Sequence, residues 1–209
     1  TAVDLLQPDL LVKAATQDVT AYALDNAYQT TPSGDQIETQ FVSNGVTVSY
    51  DVRLENDGNV ARTFLLRAVE SAEAGWTVVY RVGGIDISAQ LHSAQGYTTA
   101  SLAPDASVVV TVEMPPDGTV AGGTSKTATV SVYLDGSDAT VRDVVRTVAT
   151  VGTVSQPDLL IKLHPQADAE YALDGVYQQT PSGDQIEAAS AAANITEQYA
   201  AKLQNDGNT

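Results

Sequence analysis

The sequence lacks cysteine and has only one methionine, one tryptophan and two histidines among its 209 residues. Without cysteine the chain can form no disulfide, no thiolate metal site and no cysteine nucleophile. The two histidines, His92 and His164, do not occupy equivalent positions of the repeat described below, and no Gly-x-Ser-x-Gly motif is present. A catalytic triad therefore has almost no residues from which to form, and we expect no enzymatic activity.

Positive charge and long apolar runs are also scarce. Ten Lys and Arg stand against 26 Asp and Glu, which gives a formal net charge of −16. Such a chain repels phosphate backbones and anionic lipid surfaces, so we expect no nucleic-acid partner. No stretch approaches the roughly 18 apolar residues of a membrane span. A hydrophobic content of 43% with 17% charged residues is nevertheless that of a folded protein.

The most informative feature is an internal repeat with an offset of 149 residues. Between residues 7 and 60 the first copy aligns without a gap on the residues from 156 onward, and the second copy reaches only Thr209. We interpret residues 1–6 as a linker or the tail of a preceding repeat, 7–155 as a complete repeat, and 156–209 as the first part of a second, truncated one. This organisation predicts that the 209 residues are part of a longer tandem array. The clearest matches are residues 7–11 with 156–160, 22–25 with 171–174, 31–38 with 180–187, and 56–59 with 205–208.

Alternation of apolar and polar residues predicts half-buried strands. Residues 46–54 place Val46, Val48, Tyr50, Val52 and Leu54 on one face. The same pattern covers residues 108–114 and 128–134, and further β-rich runs lie at residues 10–12, 63–69, 76–82 and 144–151. Seven to nine short strands per repeat predict an all-β fold, an immunoglobulin-like antiparallel β-sandwich in tandem repeats.

Turn signals separate these strands. Asn44-Gly45 predicts a β-hairpin turn before Val46. Residues 56–59, 115–118 and 135–138 also carry Asn, Asp, Gly or Pro in turn-forming combinations. Residues 187–203 of the second copy are rich in alanine, so a helix is an alternative there. The alternation of apolar and polar positions that these residues mostly share with the first copy nevertheless favours a strand.

Several of these segments follow the order found in a known group. Leu54-Glu55-Asn56-Asp57-Gly58-Asn59, Gly75-Trp76-Thr77-Val78, Leu102-Ala103-Pro104 and the strand that ends at Met114-Pro115-Pro116 carry the similarity. Residues 46–151 resemble the immunoglobulin-like β-sandwich repeats of bacterial and archaeal surface proteins, including cell-adhesion-related domains and sandwich modules attached to glycosidases. The resemblance implies an extracellular structural or adhesive role and brings no catalytic residues. Residues 22–38 are an elaboration on the minimal module.

That elaborated loop is the best candidate metal site. Because Ca²⁺ takes six to eight oxygen ligands, an acidic loop that also contains Gly and Ser could provide them. Under the alternative interpretation, Asp25 and Asp35 cap turns while Tyr22, Tyr28 and Ile37 hold the loop on the sandwich. Calcium is the one cofactor that the sequence suggests. The candidate ligands are Asp25, Asp35 and Glu38 in the first copy and Asp174, Asp184 and Glu187 in the second.

Two further residues have alternative interpretations. Trp76 could belong to a sugar-binding platform, although a buried anchor between sheets is the more ordinary use of a single large ring. Asn194 begins an Asn-Ile-Thr sequence, which is a candidate glycosylation site that the first copy does not share.

Together these features predict a non-catalytic, extracellular or cell-surface structural protein of prokaryotic type, which forms a fibre, stalk or surface matrix from tandem units. We expect its partners to be other copies of itself. Because a sandwich with only its first strands exposes apolar faces and strand edges, another chain or the later strands of the array would complete it. The alternative function is that of an adhesive module that binds surface glycans.

Overall fold

The computed structural model describes residues 3–134, 139–171 and 174–208, without the side chain of Asp184. The chain divides into two compact units, Thr1–Gly152 and Thr153–Thr209. The predicted turn at residues 135–138 and Thr209, where the second copy stops, lie outside the described residues.

In the first unit the described residues form two five-stranded sheets, with strand orders β1-β3-β8-β5-β6 and β2-β10-β9-β4-β7. Neighbouring strands are antiparallel except β2 and β10, which are parallel. This all-β architecture is the predicted immunoglobulin-like β-sandwich. The elements are β1 (Pro8–Ala14), β2 (Ile37–Val42), β3 (Val48–Asn56), β4 (Leu65–Glu70), β5 (Val79–Val82), β6 (Ile85–Asp86), α1 (Ser88–Leu91), β7 (Tyr97–Thr98), β8 (Ser107–Met114), β9 (Ser125–Tyr133) and β10 (Asp143–Val151).

The core lies between the sheets, where the alternating apolar residues meet. Tyr50, Val52 and Leu54 of β3 are fully buried, and the predicted inward faces of β8 and β9 are buried as well, apart from half-buried Val108. Val46 precedes β3 and is 53% exposed, so the strand begins two residues later than its pattern predicts.

Strand β1 is buried along its whole length, including Asp9 and Lys13. Strands of the other sheet cover one side of β1, and the loop between β1 and β2, which contains 3₁₀ turns at Val19–Ala21 and Gly34–Gln36, contributes to its burial as well. It contributes a Tyr22 ring that lies 4.3 Å from the guanidinium carbon of Arg53. The elaborated loop therefore covers the outer side of the first sheet's edge.

The prediction of a β-hairpin at Asn44-Gly45 is wrong, although a turn does form at these residues. Val46 donates a backbone hydrogen bond to the carbonyl of Ser43 at 3.1 Å, and Gly45 has a φ of 73°. The flanking strands nevertheless belong to different sheets, because β2 pairs with β10 while β3 pairs with β1 and β8. The turn thus carries the chain from one layer to the other.

In the second unit, β11 (Pro157–Leu163) pairs with β12 (Tyr199–Asn205) in the register of β1 and β3, so that Pro157 faces Asn205 as Pro8 faces Asn56. The 3₁₀ turns also recur, at Asp168–Glu170 and Gly183–Gln185. The strand predicted over residues 187–203 forms only from Tyr199, and the alternative helix does not form. In the first unit the equivalent of residues 186–191 is β2, which needs β10 as its partner, and no counterpart of β10 occurs within the 209 residues.

Among the described residues, no helix is long and apolar enough to cross a membrane.

Candidate metal centre

Short-range backbone geometry places the long loop over the ends of β1 and β3. Leu24 and Asn26 adopt positive φ angles of 59° and 64°. The N–H of Asn26 donates to Oδ2 of Asp9 at 2.7 Å, and the hydroxyl of Tyr28 donates to Oδ2 of Asp57 at 2.7 Å. These bonds fix the loop to one carboxylate from each strand end.

The same contacts bring three carboxylates together. Asp9, Asp25 and Asp57 each offer one oxygen, and these oxygens lie within 4.8 Å of one another. Asp9 is buried, Asp57 is half-buried and Asp25 is exposed. A shallow cavity of about 280 Å³ opens beside them, lined by Asp25, Asn26, Glu55, Asp57 and Asp105. The donor set consists entirely of oxygens, as hard divalent cations require.

Asp9 is the residue that points most directly to a ligand. Its side chain has no exposed surface, and its Oδ1 has no hydrogen-bond partner among the described residues. Burial raises the pKa of Asp9 to about 7, the Asn26 hydrogen bond works against that rise, and nearby Asp143 adds to it. A buried carboxylate is costly unless it is paired, protonated or bound to a metal. Either a proton or a cation therefore has to compensate this charge.

The second unit repeats the arrangement. Asp158, Asp174 and Asp206 occupy the equivalent positions, and their oxygens also lie within 4.8 Å of one another. Gly175 donates its N–H to Oδ2 of Asp158 at 2.9 Å, and the hydroxyl of Tyr177 donates to Oδ2 of Asp206 at 2.8 Å. Each triad, with one buried and one half-buried member, has the ligand chemistry to hold a metal ion.

One substitution distinguishes the two copies. Gln204 stands where the first copy has Glu55, and its Nε2 donates to Oδ1 of Asp174 at 3.0 Å and to Oδ1 of Asp206 at 2.7 Å. An amide donor thus takes up two carboxylate oxygens in the second copy. The first copy keeps the more acidic surroundings.

Of the predicted ligands, only Asp25 and Asp174 belong to these triads. Asp35 is exposed in the 3₁₀ turn Gly34–Gln36, Glu38 is half-buried in β2, and Glu187 is also half-buried. The side chain of Asp184 lies outside the described residues. Within the described part of the chain neither Asp35 nor Glu38 joins a group of three acidic ligands.

Asp9 and Asp57, with their counterparts Asp158 and Asp206, were not among the ligands predicted from the sequence. A signal was available, because both positions are identical in the two copies. Asp9 is also an acidic residue inside a mainly apolar strand, which is uncommon without a partner.

The other two candidate sites that the sequence suggests are Trp76 and Asn194. Trp76 packs against the core and forms an isolated bridge with Pro116, and its Nε1 is buried without a hydrogen-bond partner among the described residues. It also lines a second shallow cavity of about 280 Å³. Asn194 is exposed in a turn, with a φ of 66°.

No protein-family model matches the sequence, and no curated protein matches it. Similar solved structures are β-sandwich domains at very low sequence identity. The N-terminal domain of PorA is 7% identical, with a TM-score of 0.41 over 68% of this chain and 97% of that domain. A CARDB domain from Pyrococcus furiosus, solved in complex with di-metal ions, is 15% identical, with a TM-score of 0.34 over 71% of this chain and 96% of that one.

BcpA, the major pilin subunit of Bacillus cereus, is 9% identical, with a TM-score of 0.35 over 76% of this chain and 49% of the pilin. These similarities are too distant to carry over a ligand, a partner or an activity. At the level of family, the resemblance to cell-surface repeats stays a prediction.

Proposed function

We propose that this protein is a non-catalytic structural module of an extracellular prokaryotic surface assembly, built from immunoglobulin-like units in series. The observation that supports the proposal is the recurrence at an offset of 149 of one strand pairing, one pair of 3₁₀ turns and one carboxylate triad. Serial units that contact mainly their neighbours suit a fibre, stalk or matrix.

Calcium is the cation that we propose for the triads. Asp9 belongs to β1, Asp25 to the loop and Asp57 to the end of β3, so that one ion would join all three segments. Ca²⁺ accepts irregular oxygen coordination, whereas Mg²⁺ demands near-ideal octahedral geometry. Because Asp25 is exposed, we expect the weak affinity typical of extracellular modules, with a Kd of about 10⁻⁴ to 10⁻³ M.

The alternative function, glycan binding, has less support. Sugar platforms need exposed aromatic faces, but Trp76 packs against the core and the Tyr28 hydroxyl is bound to Asp57. A glycan array probed with the wild-type chain and with Trp76→Ala and Tyr28→Ala separates the two functions. Specific binding that both substitutions abolish would favour the adhesive role.

Immunogold electron microscopy of the source cells tests the structural proposal. Antibodies raised against residues 7–155 should label the outside of intact cells and mark filaments or a matrix at a regular axial spacing. Labelling confined to the cell interior, or dispersed monomers without any assembly, would contradict the proposal.

A further inference from the structure

Glu55 and its counterpart Gln204 lie beside the two carboxylate triads and differ in chemistry. Both hold the same register position, since Glu55 faces Asp9 across β1 and β3 as Gln204 faces Asp158 across β11 and β12. Glu55 also lines the cavity beside the first triad. The two side chains have the same length and shape, so that the exchange of a carboxylate for an amide is the whole difference between them.

In the second copy the amide of Gln204 lies between two carboxylates. Its Nε2 donates to Oδ1 of Asp206 at 2.7 Å and to Oδ1 of Asp174 at 3.0 Å. An NH₂ group has two N–H donors, and both are used here on the triad. Because ionised carboxylates only accept hydrogen bonds, the amide supplies from within the chain two of the interactions that a cation would make with these oxygens.

The first copy has no donor at this position, because a carboxylate carries no N–H group. Glu55 instead pairs with Arg53, whose Nε lies 3.2 Å from Oε1 of the glutamate. The cavity beside it is lined by three further carboxylates, those of Asp25, Asp57 and Asp105. The first copy therefore concentrates negative charge where the second copy places an amide.

Asp9 shows that charge in the first copy needs a partner. Its side chain has no exposed surface, it contributes one oxygen to the triad, and its Oδ1 has no hydrogen-bond partner among the described residues. A buried carboxylate oxygen in this state is costly. The three oxygens of the triad lie within 4.8 Å of one another. Two oxygens that each lie about 2.4 Å from one Ca²⁺ ion are no more than about 4.8 Å apart, so this spacing fits a single ion.

We propose that the residue at this position sets the cation affinity of each triad: Glu55 is a further oxygen ligand that makes the first triad the tighter site, and the amide of Gln204 makes the second triad the weaker one. The inference rests on the proposed calcium binding and adds how that binding is distributed between the two copies.

The direction of the difference follows from charge. The number of charged ligands tunes the affinity of oxygen sites for Ca²⁺ over several orders of magnitude. An ion that enters the second triad has to displace the amide from Asp174 and Asp206. Even with its amide rotated to present Oε1, Gln204 offers a neutral oxygen, which attracts a divalent cation less than a carboxylate does.

An NMR titration of the intact 209-residue chain with calcium chloride measures the two sites separately. The backbone N–H of Asn26 donates to Oδ2 of Asp9, and that of Gly175 donates to Oδ2 of Asp158, so these two amides report on equivalent positions. In ¹H–¹⁵N spectra of the wild-type chain, we expect the Asn26 resonance to titrate with a Kd about 10-fold or more below that of Gly175.

Reciprocal substitutions test the residue itself. Glu55→Gln should raise the Kd at Asn26 by about 10-fold or more and leave that at Gly175 unchanged. Gln204→Glu should lower the Kd at Gly175 by a similar factor and leave that at Asn26 unchanged. Glu73→Gln removes the same charge from an exposed position of the first unit outside the cavity, and it should change neither value.

Equal Kd values at Asn26 and Gly175 in the wild-type chain would overturn the inference, as would reciprocal variants that leave both values unchanged. Equal effects of Glu55→Gln and Glu73→Gln would assign the change to net charge and would overturn it too. If neither amide shifts with calcium, the calcium proposal fails together with this inference, whereas equal affinities leave the calcium proposal standing. The surface labelling of cells is independent of all these results.

Discussion

At the scale of single residues, Asp9 shows how much of a binding site an internal repeat in the sequence can identify. The position is acidic, identical in both copies and set within an apolar strand. These facts could have identified it, but its partners depend on a loop path that the sequence does not specify. Leu24 and Asn26 adopt positive φ, and this conformation turns Asp25 toward the strand ends. A left-handed conformation at a non-glycine residue is rarely predictable from residue type alone.

If calcium occupies the first triad, exposed Asp25 is the ligand that can be removed without disturbing the fold. We expect 10 mM calcium to raise the melting midpoint of the wild-type chain by about 4 °C over a chelated sample, from mass action at a millimolar Kd. Asp25→Asn should remove most of this shift, as measured by differential scanning calorimetry.

Asp35→Asn is the matched control, because it removes one charge from the same loop outside the triad. It should keep the full calcium shift. An unchanged wild-type midpoint, or equal losses in the two variants, would exclude the triad as the binding site.

Glu38 provides a prediction about pH. Burial raises the pKa of this carboxyl above its ordinary value, although a backbone hydrogen bond involving Ala14 opposes the rise. The folded state therefore holds the proton more tightly than the unfolded state. The resulting stabilisation is complete below the ordinary pKa and is lost as the pH rises through the higher folded value.

Glu38→Gln should accordingly raise the urea midpoint relative to wild type at pH 7, and the difference should shrink toward pH 4. Glu73→Gln, at an exposed glutamate of the same unit, should leave the midpoint unchanged at both pH values. A Glu38→Gln chain less stable than wild type at pH 7 would show that the ionised carboxylate is stabilising.

At the scale of strands, alternation predicted the elements better than their partners. Strands β3, β8 and β9 form within about three residues of the predicted bounds because one face of each meets the core. The prediction of a hairpin at Asn44-Gly45 was wrong because a hairpin and a crossing between sheets use the same turn residues. The prediction of a strand at residues 187–198 was wrong because a strand needs a partner. In the first unit β2 pairs with β10, which lies more than 100 residues away in the chain.

A hydrogen bond between the sheets tests the layer geometry. The hydroxyl of fully buried Tyr50 in β3 donates to the carbonyl of Val148 in β10. We expect Tyr50→Phe to lower the free energy of unfolding by about 1 kcal/mol, because the carbonyl loses its partner while the ring remains. Urea denaturation measures this effect.

Tyr22→Phe is the comparison, since it keeps the ring that Arg53 contacts. It should change the free energy of unfolding by less than about 0.5 kcal/mol. A larger loss at Tyr22 than at Tyr50 would contradict the assignment of Tyr50 as the link between sheets.

At the scale of the whole molecule, β11 pairs with β12 in the register in which β1 pairs with β3, and the division of the chain into repeats at an offset of 149 stays a prediction. The role of Asp143 could not be predicted in the same way. Its carboxylate accepts hydrogen bonds from Nε2 of Gln36 and from the N–H of Leu10, which lie 107 and 133 residues away in the sequence. Contacts between distant segments leave no local periodicity, so only the folded chain identifies them.

The two units should consequently differ in local stability although their strands are alike. Leu11 and Val52 lie in a five-stranded sheet that a second sheet covers, whereas Leu160 and Ala201 lie in a two-stranded sheet whose Leu203 is 74% exposed. Two strands alone are marginal in water, and amides with few buried neighbours exchange through local opening. Hydrogen exchange followed by NMR should therefore show protection about 100-fold lower or more at Leu160 and Ala201 than at Leu11 and Val52. Appending a copy of residues 61–155 after residue 209 should restore protection to the second pair, because that segment supplies the counterparts of β8, β9 and β10. Equal protection in the 209-residue chain would mean that β11 and β12 are stable without those strands.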